Sequence, residues 1–189
     1  MSSARLQRRS SSSSALAIIA VLAIVVVLFF GYSAVNASQD TTVELVPAGN
    51  VTTGDVITVK LVAHNVRNLG GFQSTVRFDP AHLHLSGATL ADDLKRSGRD
   101  VLPLGPVLRD DAAVIGAVTC PAGNCADVQP QRSFVRMLTG VGGDVELGNV
   151  EFLANAPGTY NLTLDNVQLV DPQGNRLTVH AVGTTLTVN

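Results

Sequence analysis

Gly70-Gly71-Phe72-Gln73-Ser74-Thr75-Val76-Arg77-Phe78-Asp79-Pro80 decides the fold class. Phe72, Ser74, Val76 and Phe78 recur at every second position, with Gln73, Thr75 and Arg77 between them. A strand turns successive side chains to opposite faces, so the first set faces a core and the second faces outward. Asp79-Pro80 ends the strand, because proline offers no N–H to a ladder and holds the preceding residue extended. The same period of two continues on both sides. Upstream, Thr42–Val46 and Val56–Val62 alternate, separated by turn chemistry at Pro47-Ala48-Gly49-Asn50 and Thr53-Gly54-Asp55. Downstream, Leu83 and Leu85 share one face of a short strand. Further strands are expected at Val101–Leu104, Ala112–Thr119, Ser133–Thr139, Val145–Ala154, Thr159–Leu164, Val167–Val170 and Val182–Val188. Gly142-Gly143, Ala156-Pro157-Gly158 and the hairpin turn Asp171-Pro172-Gln173-Gly174-Asn175 punctuate them. Leu90–Arg99 is the one helical candidate, with Leu90 and Leu94 four apart and Gly98 as a cap. Many short strands at regular spacing with little helix predict an all-β chain, an antiparallel β-sandwich.

A different segment precedes this body. Ala15–Val35 holds 21 positions without a charge, a proline or an amide. As a helix it spans roughly 30 Å, the thickness of a bilayer's hydrocarbon core. Arg5, Arg8 and Arg9 stand before it, on the side expected to stay cytoplasmic. Residues 1–40 therefore read as a basic segment with a transmembrane or signal helix, and 41–189 as one exported domain. The helix either anchors the body to the membrane through residues 15–35 or is cleaved after Ala37, releasing it.

Charge narrows the partners. The chain of 189 residues carries 13 basic and 15 acidic side chains, and every acidic one lies at Asp40 or later. The body is mildly acidic and has no basic cluster, which excludes nucleic acid as a partner. Cys120 and Cys125 bracket Pro-Ala-Gly-Asn, and in an oxidising compartment they read as a local disulfide.

Catalytic patterns are absent: no GxSxG, HExxH, phosphate-binding glycine loop or EF-hand loop occurs. His82 and His84 would project from one strand face as an HxH pair, but no further ligand stands near them in sequence. Asp92-Asp93 and Asp110-Asp111 read as solvated loop charge instead of an acid–base pair across a cleft. No cofactor or metal is expected. Sugar-binding sandwiches stack pyranose rings on exposed aromatics. This body has no tryptophan, only Tyr160, and phenylalanines at strand positions that face inward.

Thr53–Val59, Gly70–Leu83, Leu147–Phe152, Pro157–Thr159, Asn166–Asn175 and Gly183–Val188, in that order and spacing, resemble a cohesin domain over Thr41–Asn189. Cohesins are the β-sandwich receptor modules of cellulosome-type assemblies. The resemblance implies a jelly-roll sandwich of about nine strands. It also implies a non-catalytic role, in which one sheet face captures a calcium-loaded dockerin on an enzyme or scaffold. Aligned on Phe78-Asp79-Pro80, the family's dockerin-contacting strand often carries Asn and Asp where this chain has Gly71 and Gln73. Gln73, Thr75 and Arg77, the outward residues of that strand, are the partner-binding candidates. Cys120–Cys125 falls in what looks like an insertion. Direct polysaccharide binding and a structural envelope role are the alternatives.

Overall fold

The alternation that begins at Gly71 is built as a strand in which Phe72, Ser74, Val76 and the following Phe78 are all buried, at 7% exposure or less. It sits in a computed structural model that describes residues 40–49, 51–120 and 140–189. The strands are β1 (Thr41–Pro47), β2 (Val56–Leu69), β3 (Gly71–Arg77), β4 (Leu83–Leu90), β5 (Asp100–Pro103) and β6 (Val107–Leu108). They continue with β7 (Ala112–Cys120), β8 (Val141–Ala154), β9 (Gly158–Val170), β10 (Arg176–Leu177), β11 (Val179–Val182) and β12 (Thr184–Val188).

Two sheets form. The first runs β11-β1-β2-β8-β4, and the second runs β10-β9-β3-β7-β5, with β12 added on β9 and β6 on β7. All-β and two-layered is what the sequence predicts. Twelve described strands stand where the resemblance implies about nine: the short β6, β10 and β11 raise the count, while β9 is one strand where two were read. The pairing is also not wholly antiparallel: β1 lies parallel to β11. These two strands stand far apart in sequence, so no hairpin constrains their direction. The expected strand Ser133–Thr139 lies outside the described residues, as do the Ala15–Val35 segment and Cys125. Among the described residues no helix is long and apolar enough to cross a membrane.

The inner faces meet in one core, whose fully buried members include Ile57, Leu61, Leu147, Phe152, Leu162 and Leu169. Phe152 of β8 and Phe78 at the end of β3 join the two sheets edge to face, with ring centroids 5.0 Å apart at 67°. The chain crosses from the first sheet to the second at Gly70. A Cβ there would collide with the backbone of Asp171 and Pro172, so only glycine admits the close approach.

The expected helix at Leu90–Arg99 is corrected. Leu90 still belongs to β4, paired with Gly148, and only Asp93–Ser97 turns, as a 3-10 helix. Leu94 is its sole buried residue, so one apolar anchor supports one turn. Gly98 does cap it, at φ 70°, donating its N–H to Lys95 O.

Candidate functional site

Ion pairs cross the outer face of the first sheet. Lys60 Nζ on β2 reaches Glu146 Oε2 on β8 at 2.8 Å. His64, also on β2, stands between Glu44 of β1 and Asp144 of β8: Nε2 donates to Glu44 Oε1 at 2.9 Å and Nδ1 lies 3.2 Å from Asp144 Oδ1. Both ring nitrogens can donate only in the imidazolium form. Burial alone lowers the His64 pKa, but the hydrogen bonds and charges of Asp144 and Glu44 outweigh it and hold it above its usual value.

The second sheet carries apolar surface. Six large hydrophobic side chains are exposed among the described residues: Val56 and Val182 stand singly on strands β2 and β11 of the first sheet, and Leu102, Leu104, Val107 and Leu108 cluster on β5, β6 and the link between them. Leu102 is in register with Val118 of β7, and Val107 with Val114. Leu104 is placed between them by its N–H, which donates to Gly116 O at 2.8 Å. The result is an apolar strip along the β5–β6 edge.

Beside the strip lies a shallow hollow of about 460 Å³, lined by residues that include Gln73, Thr75, Arg77, Arg109, Asp111 and Asn166. The three residues singled out in the sequence meet here, but not as three exposed groups. Thr75 is only 7% exposed. It points outward, yet it is flanked in register by Val114 on β7 and Asp165 on β9. A bulge in β9 between Gln168 and Asp165 brings Asn166, at φ 49°, to the rim. Arg77 is not free either. Its Nε donates to Asp165 Oδ2 and its Nη1 to Asp111 Oδ2 at 3.0 Å, tying β3 to β9 and to the β6–β7 turn.

Arg109 is the functional candidate that sequence reasoning missed. It starts the turn between β6 and β7, where its N–H donates to Ala112 O at 2.8 Å. It lines this hollow and also a second one of about 390 Å³, between β4 and β6, with His84, Leu85 and Leu108. The one available signal was a lone basic residue beside Asp110-Asp111 in a turn.

The other sequence candidates are structural. His82 is in the turn before β4, not on the strand with His84, and stacks on Tyr160 with centroids 5.4 Å apart. No group of described residues could hold a metal ion. Asp92 pairs with Lys95 at 2.6 Å, and Asp93 Oδ2 accepts the Glu146 N–H at 2.8 Å. Every described phenylalanine and tyrosine is buried, leaving no stacking platform among the described residues. Cys120 closes β7 at 9% exposure, while its expected partner Cys125 lies outside the described residues.

No family model and no curated sequence matches the chain. Solved structures do. It is similar to a non-cellulosomal cohesin from the hyperthermophilic archaeon Archaeoglobus fulgidus, at 15% identity and a TM-score of 0.59, over 80% of this chain and 92% of that one. A type II cohesin domain from the cellulosome of Acetivibrio cellulolyticus gives 12% identity and 0.59, over 78% and 95%. A Clostridium thermocellum cohesin–dockerin complex gives 12% and 0.56, over 79% and 92%. By its two sheets and by this likeness, the chain has a cohesin-type β-sandwich fold.

Proposed function

We propose that the chain is a non-catalytic, cohesin-like binding module. It recruits a dockerin-like protein partner on the outer face of the β9-β3-β7-β5 sheet. The observation that carries this is the asymmetry of the two faces. Both sheets pair charges on their outer faces, but the second gathers Leu102, Leu104 and Val107, at 41–49% exposure, into one strip beside a polar hollow, whereas the exposed Val56 and Val182 of the first stand on separate strands. Apolar patches with a polar surround mark protein interfaces. Several similar cohesins were solved with dockerins bound, which supports a dockerin-bearing enzyme or scaffold as the partner. In this reading residues 15–35 hold the body outside the cell, or deliver it there and are removed, in a polysaccharide-degrading or surface assembly. The chain itself makes and breaks no bonds.

The test uses the full-length chain in mild detergent, immobilised and exposed both to calcium-loaded dockerin modules and to the exported proteins of its source. A partner should be retained, and the pair Leu104→Asp with Val107→Asp should lose at least tenfold in affinity, as central apolar contacts do. Equal retention by the variant overturns the chosen face. Retention on cellulose or chitin with no protein captured overturns the reading.

A further inference from the structure

The hollow differs from the strip in what its side chains have left to offer. Arg77 and Asp111 are committed to each other, and Asp165 is committed to Arg77. Arg109 pairs with no carboxylate among the described residues, and the side chains of Gln73, Thr75 and Asn166 make no hydrogen bond there. Asp110, its neighbour in the chain, lines the other hollow. Two amides, one hydroxyl and one guanidinium thus converge on one concavity with their donors unspent. Gln73, Arg109 and Asn166 are exposed, so water serves them in the free chain, and a guanidinium's planar fork matches a carboxylate that would take that water's place.

We propose that this hollow receives an aspartate or glutamate side chain of the partner, with Arg109 as the residue that selects it. The inference rests on the binding-module reading above and specifies its partner. The carboxylate lies between Arg109 and the amides of Gln73 and Asn166. Val114 lines the hollow and is in register with Val107, so residues flanking the carboxylate continue onto the apolar strip. The partner segment is therefore an acidic residue set among large aliphatic ones. The backbone of the turn fixes Arg109 through the bond to Ala112 O and the bond from Phe78 N–H to Asp111 O. Neither depends on the Arg109 side chain, so its substitution leaves the turn intact.

The experiment titrates the isotope-labelled full-length chain in detergent micelles with the blocked peptide acetyl-Leu-Asp-Leu-amide, and with the same peptide carrying Asn or Lys in place of Asp. The readout is the movement of the Arg109 Nε–H and the Gln73 and Asn166 side-chain amide signals. The Asp peptide is expected to move them with a dissociation constant in the millimolar range. The Asn peptide should bind at least tenfold more weakly and the Lys peptide not at all. Arg109→Gln should also weaken the Asp peptide at least tenfold while the spectrum elsewhere stays unchanged. Thr75→Val, which removes a donor without touching charge, should weaken it less. Equal binding of the Asp and Asn peptides overturns the proposal, as does an unaffected Arg109→Gln variant or the absence of any movement. A chain that ignores the Asp peptide but still captures a protein loses this inference and keeps the binding-module reading. One that answers the peptide but captures no protein keeps the carboxylate hollow and loses the module.

Discussion

Phe152→Ala tests whether the two sheets are held together as described. Phe152 is fully buried on β8, in register with Ile57 of β2 and Leu85 of β4, and its ring meets Phe78 from the opposite sheet at 5.0 Å. Truncating a buried phenylalanine costs about 3–5 kcal/mol, combining lost transfer free energy with the cavity left behind. Of this, about 0.5–1.5 kcal/mol belongs to the edge-to-face pair. A domain of this size loses about 2–4 °C of melting temperature per kcal/mol, so the midpoint should fall by about 6–20 °C. The chain has no tryptophan, so urea and thermal unfolding are followed by far-ultraviolet circular dichroism. The pair is isolated by a double-mutant cycle of Phe78→Leu and Phe152→Leu, with an expected coupling of about 1 kcal/mol. A cost below about 1 kcal/mol for Phe152→Ala would refute the reasoning, since no core aromatic bridging two sheets is that dispensable. Zero coupling would remove the ring pair alone and leave the burial argument standing.

Three further outcomes follow from individual residues. A Cβ on Gly71 would stand 2.9 Å from Val118 Cγ1 and 3.1 Å from Ala117 O, so Gly71→Asn should destabilise by about 1–3 kcal/mol in urea titration. A neutral result would show that β3 and β7 can part without cost. Ser74 is 1% exposed and its hydroxyl is buried without a partner, so Ser74→Ala should raise stability by up to about 1 kcal/mol. A loss of similar size would mean the hydroxyl is satisfied. His64 has a raised pKa in the folded chain, so its stabilisation is complete below the unfolded value of about 6.5 and is lost as pH rises through the higher folded value. The effect should amount to about 1 kcal/mol or less for partly exposed contacts, weaken with salt, and vanish in His64→Gln. A stability that rises with pH across that window and does so through His64 would reverse the sign and refute the clamp.

Periodicity made the framework legible, and it did so wherever a strand was long enough to repeat. Phe72, Ser74, Val76 and Phe78 are buried as their spacing requires, and Asp171 accepts the N–H groups of Gln173 and Asn175 in the turn expected of it. A period cannot survive a bulge, which is why β9 reads as two segments: its core positions Leu164 and Val167 are three apart across Asp165 and Asn166. Nor can two residues show one, as in β6 and β10. The site fails for another reason. Alternation states which way Thr75 points, but whether outward means exposed depends on Val114 and Asp165, supplied by strands that are not its neighbours in sequence. Charge is less local still. Arg77 and Arg109 look alike in sequence, and only folding brings Arg77 to carboxylates 34 and 88 positions away while leaving Arg109 with none among the described residues. An arginine already neutralised holds strands together, and one that is not has free energy to gain from a partner. The local pattern therefore locates the face, and the long-range pairing of charges assigns each arginine its role.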